Sequence, residues 1–206
     1  MTVIDLARAE RQDLLELLER LSPAQWATPS LCAGWTVRDV VAHALSYDEL
    51  GPRQLATRFA RGRFLVDRVN AVGLQENSAR TPAELVDLLR AHLTPRGLPA
   101  GLGGAIGLTD GMIHQQDIRR PLGRPRTIPA ERLVPALRTA LFAPVVRGVL
   151  RVRDVRLVAT DLEWTFGRGP EVRGTGEALL MAVAGRGAVA DELAGPGRDR
   201  VVPRLG

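Results

Sequence analysis

Apolar residues recur at three- and four-residue spacing in one segment after another over roughly the first 145 positions, and then that period lapses into short β-branched runs bounded by glycine. Such a pattern buries its apolar surface as helix packed on helix, with a smaller mixed element behind. Residues 3–21 place Ile4, Leu6, Ala7, Leu14, Leu15, Leu17, Leu18 and Leu21 at mostly helical spacing. Ser22-Pro23 stops that helix, because proline disfavours helical backbone in the residue before it. After the turn-rich stretch SPAQWATPSLCAGW, Thr36 is the expected N-cap, with Asp39 three residues on. The helix from Val37 to about Asp48 then carries Val37, Val40, Val41, Ala44 and Leu45 on its apolar side, with His43 next to them. Further helices are predicted over 52–72, over 82–93 behind Thr81-Pro82, over 102–120 and from Pro129 to about Val146, with RGLPAGLGG as a loop. In the tail, VRLVATDLEWTFG and PEVRGTG read as short strands, EALLMAVAGR and AVADEL as short helices. The expected organisation is a helical bundle over 1–148 and a small α+β domain over 149–206, a mainly α chain with an α+β tail.

With 45% hydrophobic residues in 206, the chain can build a core without cross-links. Its one cysteine, Cys32, excludes an internal disulfide and a cysteine-rich zinc site. In LCAGW it has no cation beside it, and it reads as a small buried hydrophobe. No apolar run nears the roughly 20 residues that span a bilayer, and the acidic, amphipathic start lacks signal-peptide character, so a cytoplasmic protein without a membrane partner is expected. The formal charge of +5 comes entirely from arginine on the basic side, since the sequence has no lysine. Most arginines alternate with Asp and Glu, as on solvated helix faces, so nucleic acid is not an expected partner. Two denser runs, Arg119, Arg120, Arg124 and Arg126, then Arg147, Arg151, Arg153 and Arg156, read as surface charge or as holders of a phosphate or carboxylate.

The chain has three histidines. Asp110 and His114 stand four apart in TDGMIHQQD, which on a helix puts both on one face about 6 Å apart along the axis. That spacing lets them share a metal ion, and it equally describes an ordinary helix-surface pair. His43 belongs to another helix, and facing helices of a bundle can converge such side chains on one inward site. Two histidines and a carboxylate would leave a coordination position open, the catalytic pattern. Asp117, three residues past His114, reads as an orienting partner for that ring or as half of a salt bridge to Arg119 or Arg120. His92 has no carboxylate at helical spacing and reads as a helix-end residue.

The segments LSPAQWATPSLCAGWTVRDVVAHALSYDEL and MIHQQDIRRPLGRPRTIPAERL resemble the mycothiol-dependent maleylpyruvate isomerase family, whose first domain is a DinB-like four-helix bundle. LVATDLEWTFGRGPEVRGTGEALLMAVAGR resembles that family's small C-terminal α+β domain, so the likeness runs from about residue 5 to residue 195. The family's divalent metal, usually zinc, is held by a histidine closing the WTVRDVVAH-like helix and by an acid and a histidine four apart. Those roles carry over to His43, Asp110 and His114. The family's acid is typically Glu, one methylene longer than Asp110. The GR of AVAGRGA aligns Arg186 with an arginine that looks catalytic or ligand-binding in the family, with capping of helix-end carbonyls as the plainer alternative. Arg119 and Trp35 are assigned to the cofactor. Packing beside the turn, shared with Trp26, is the alternative for Trp35, and surface charge is the alternative for Arg119.

The resemblance implies mycothiol, a sugar-linked thiol, as cofactor and a small electrophilic, carboxylate-bearing molecule as substrate. A thiol bound to zinc is deprotonated at neutral pH. It could add to a double bond, permit rotation and leave, giving cis–trans isomerisation, or attack an electrophile as an S-transferase does. The expectation is thus a metal-dependent, mycothiol-using isomerase or transferase. The alternative is a non-catalytic ligand-binding or regulatory member of the same fold with a degenerate metal site.

Overall fold

Thr2 starts the first helix by a reciprocal cap: its hydroxyl accepts the Asp5 N–H, and its own N–H donates to the Asp5 carboxylate. The helix that follows is α1 (Val3–Leu18). The same device, at Ser22 and Thr36, opens α2 (Pro23–Trp26) and α3 (Val37–Leu45). Next come α4 (Pro52–Arg61), α5 (Val66–Glu76), α6 (Pro82–Ala91), capped by Thr81, and α7 (Ala105–Arg119). The computed structural model describes residues 1–206, and its contacts divide them into two units, Met1–Pro125 and Arg126–Gly206.

In the first unit α1 packs on α7, α7 on α3, α3 on α6 and α6 back on α1, which closes a four-helix bundle. Leu14, Leu18, Val37, Val41, Leu45, Leu85, Leu89 and Ile118 fill its middle. None of its helices, nor any other in the chain, is long and apolar enough to cross a membrane.

Two segments of this unit depart from expectation. The single helix predicted over 52–72 is broken into α4 and α5. Gly62 closes α4 where a Cβ would lie 2.4 Å from the Val69 Cγ2, and Arg63 and Phe64 turn the chain with φ of 53° and 58°. Only the missing side chain lets the two helices approach there. RGLPAGLGG, expected as a loop, contains a 3-10 segment, Leu98–Gly104, interrupted at Gly101, Leu102 and Gly103. Gly104, at φ +97°, then begins α7 hard against α1, where a Cβ would come within 2.8 Å of the Ile4 Cα.

Charge is also buried in the bundle. Arg11 meets Asp48 through two parallel bonds of 2.8 and 2.9 Å, and both side chains are all but inaccessible. Arg58 is enclosed by Ser46, Glu76 and the Tyr47 ring. Reading the arginines as solvated misses both.

The second unit opens with α8 (Ala130–Phe142) and α9 (Gly148–Val152), followed by β1 (Arg156–Ala159), β2 (Thr165–Gly167) and β3 (Glu171–Gly174), then α10 (Gly176–Val183) and α11 (Arg198–Val201). The strands form a sheet in the order β2-β1-β3, antiparallel between β1 and β2 and parallel between β1 and β3. AVADEL, expected as a helix, lies within a 3-10 segment, Gly187–Glu192. The division between the units falls at 125/126, earlier than the 148/149 boundary drawn from the change of period. The difference is α8, whose buried face of Leu133, Ala136, Leu137, Ala140 and Leu141 packs on α10. Helical period identifies an amphipathic helix without saying which core receives its face. The chain is therefore mainly helical, a four-helix bundle followed by a smaller unit with a three-stranded sheet.

Candidate metal centre

The capping box at Thr36 fixes where α3 begins, with the Thr36 N–H donating to Asp39 Oδ2 at 3.0 Å. Two turns later His43 faces inward, 5% exposed, near the end of the helix. Across the bundle, α7 presents Asp110 and His114 one turn apart. Because α3 packs against α7, the His43 and His114 rings meet edge to face, with centroids 5.0 Å apart. One nitrogen of each ring and one oxygen of Asp110 all lie within 4.8 Å of one another. His114 Nε2 is 3.5 Å from Asp110 Oδ1.

The electrostatics of the three groups suit cation binding. Burial, aided by repulsion from His114, pushes His43 down to about 4, which keeps its imidazole neutral with a lone pair available. Burial alone would raise the Asp110 carboxyl, but the neighbouring His114 and His43 overturn that and hold it at about 2. Burial would likewise lower His114, and its carboxylate contacts with Asp110 and Asp117 win instead, holding it well above its usual value. A negative carboxylate, a neutral imidazole and an imidazole whose proton a cation can displace make a donor set for zinc or a similar ion.

One further observation bears on the fit. His43 Nδ1 and Thr109 Oγ1 are the buried side-chain polar atoms without a hydrogen-bond partner. Buried polar atoms are normally satisfied, so an orphan nitrogen on one of the clustered rings fits an ion-binding role. The half-exposed Asp110 side chain, 45% accessible, marks the side from which the cluster is reached.

Around the cluster, the Trp35 ring lies 5.1 Å from His43 on one side, and Tyr47 lies 5.9 Å away edge-on. Tyr47 is itself held by a hydrogen bond from its hydroxyl to Asn70 Oδ1 at 2.9 Å and by Arg58 over its ring. Asp117, fully buried, accepts from His114 Nδ1 at 2.9 Å. That contact is of the kind an orienting partner makes. Neither Tyr47 nor Arg58 carried a sequence signal: a lone tyrosine after a helix and one arginine among many look like any others.

The other candidates are not among the three clustered donors. Arg119 is turned towards α1, with Nε donating to Gln115 Oε1 at 2.8 Å and a terminal nitrogen 3.2 Å from the Asp13 carbonyl. Arg186 belongs to the second unit, where it precedes the 187–192 segment and donates to the Ala184 carbonyl at 3.2 Å. His92 ends α6 and takes no part in the cluster.

Residues 7–97 match the family model described as the mycothiol maleylpyruvate isomerase N-terminal domain, a span that includes His43 and stops short of α7. Among solved structures, the crystal structure of the mycothiol-dependent maleylpyruvate isomerase is similar in fold, with TM-score 0.62 and 18% identity, covering 94% of this chain and 91% of that one. A histidine-to-alanine mutant of that isomerase is similar at TM-score 0.63 and 17% identity, with the same coverage. At such identities the likeness establishes the fold. No curated protein sequence matches the chain.

Proposed function

Because residues 7–97 match the mycothiol maleylpyruvate isomerase N-terminal domain model, we propose that this protein is a divalent-metal-dependent, mycothiol-using isomerase or S-transferase of the cytoplasm, acting on a small electrophilic, carboxylate-bearing substrate. The observation that carries the reading is the convergence of His43, Asp110 and His114, from two helices, within ligand reach of one another. Zinc is the ion we assign, and it would supply the charge that keeps a bound thiol deprotonated at neutral pH.

The protein's own part is to hold and shield that charge. His43 and His114 offer ring nitrogens, and Asp110 offers a carboxylate that stays ionised across the physiological range. Asp110 is shorter than the family's Glu, and α7 brings its Oδ1 to 3.5 Å from His114 Nε2, so the lost methylene does not prevent the three donors from meeting. Trp35 and Tyr47 flank His43 and exclude water from its side of the cluster. A dry surround strengthens every charge interaction inside it. Arg186 and Arg119 are the cations we assign to substrate carboxylate and cofactor respectively.

Metal analysis of the purified protein beside a His114→Ala variant tests the site. The native protein is expected to carry about one equivalent of divalent metal and the variant almost none, as loss of one of three ligands requires. Equal content in the two would count decisively against the assignment. Mycothiol binding to metal-loaded protein separates the enzyme from its rival, since no affinity would favour a non-catalytic member of the fold.

A further inference from the structure

The turn between α2 and α3 touches both histidines of the cluster. It is closed by the Pro29–Thr36 bridge, and Ser30 Oγ ties its ends through the Trp35 carbonyl at 2.9 Å and the Cys32 N–H at 3.1 Å. The turn is pinned to α7 by the Leu31 N–H, which donates to the Asp117 carbonyl at 3.1 Å. From this frame Trp35 bears on His43, while Cys32 points its sulfur at Asp117, with Sγ 3.2 Å from Oδ2. The same Oδ2 receives His114 Nδ1 at 2.9 Å, and the sulfur is 4.0 Å from that nitrogen. A carboxylate can only accept, so the bond requires the proton on Nδ1 and leaves Nε2 on the side of Asp110. The thiol donates to the same oxygen.

We propose that Asp117 and Cys32 are positioning residues for the metal ligand His114: Asp117 fixes its tautomer and ring angle, and the Cys32 thiol holds the Asp117 carboxylate in place. The inference rests on the metal reading above and deepens it. It gives the chain's one cysteine a part in the site without making it a ligand or a nucleophile. A carboxylate behind a metal-bound histidine raises the basicity of the ring and removes its freedom to rotate, and losing such a partner typically lowers metal affinity roughly 10- to 100-fold. The thiol acts one bond further out, so its removal lowers affinity by a smaller factor, and serine, which keeps a donor, restores it.

The experiment combines zinc competition titrations with long-range 1H–15N spectra of the histidine rings, on the native chain and the Asp117→Asn, Asp117→Ala, Cys32→Ala and Cys32→Ser variants, with His43→Ala as control. The native protein is expected to show a slowly exchanging His114 Nδ1 proton both with and without zinc. That proton becomes fast-exchanging in Asp117→Ala, with affinity down roughly 10- to 100-fold. Cys32→Ala weakens zinc binding less, and Cys32→Ser matches the native protein. Unchanged affinity and an unchanged His114 signal in both Asp117 variants would overturn the proposal, as would zinc found on Nδ1. Equal affinity in Cys32→Ala and the native protein would remove the thiol from the arrangement. If the native chain and His43→Ala alike bind no zinc, the metal reading falls. The metal-free spectra then still decide, by the Asp117 dependence of the Nδ1 proton, whether His114 is positioned as described.

Discussion

Replacing Asp48 by alanine removes the anion from a deeply buried charge pair of the bundle. Its side chain is fully inaccessible and accepts both Arg11 guanidinium bonds, and its Oδ1 also takes the Arg96 main-chain N–H at 3.1 Å. Arg11, only 7% exposed, keeps a bond to the His92 carbonyl at 2.6 Å and loses the carboxylate it is paired with. Stranding a buried guanidinium costs about 3–5 kcal/mol. For a unit of 125 residues, an unfolding entropy near 2.1 cal/mol/K per residue turns that into a fall in Tm of roughly 11–19 °C. Urea unfolding in a Trp164→Phe background, where only Trp26 and Trp35 report, isolates the first unit. The double variant Arg11→Met/Asp48→Leu removes both charges and is expected to regain most of the loss, because an apolar pair of similar volume needs no desolvation. A single-variant loss below about 1 kcal/mol, the range of a solvated surface pair, would refute the reasoning.

Three shorter predictions concern the elements that set the site. Thr36→Ala removes the hydroxyl that accepts the Asp39 N–H at the start of α3 and should cost about 1 kcal/mol in denaturant unfolding. Gly104→Ala forces a side chain onto a φ of +97° and to within 2.8 Å of the Ile4 Cα, at a cost of about 1–3 kcal/mol. That loss should appear in thermal melts together with weakened metal binding, since α7 starts there. In the second unit, the Arg204 guanidinium holds the Asp154 carboxyl at about 2, below the ~3.9 of an unfolded chain. A depressed carboxylate contributes stability above its unfolded value and loses it as pH falls through the folded one. The stability gap between native protein and Arg204→Met should therefore be full above about pH 4 and vanish towards pH 2, as acid titrations of unfolding would show.

What the sequence determined by itself is what depends on near neighbours along the chain. Helix starts at Thr36 and Thr81 follow from a hydroxyl and a carboxylate three residues apart, and Asp110 and His114 share a face because a helix turns every 3.6 residues. Their partnership with His43 has no local cause. It was legible through family resemblance, and physically it exists because α3 and α7 pack with those positions in register. The Cys32–Asp117 contact, the burial of Arg11 and Arg58, the break at Gly62 and the docking of α8 on α10 were likewise decided by tertiary structure. Spacing along a chain fixes which side of a helix a residue occupies. Only the assembled core decides what that side meets, and whether a charged group finds water or a partner.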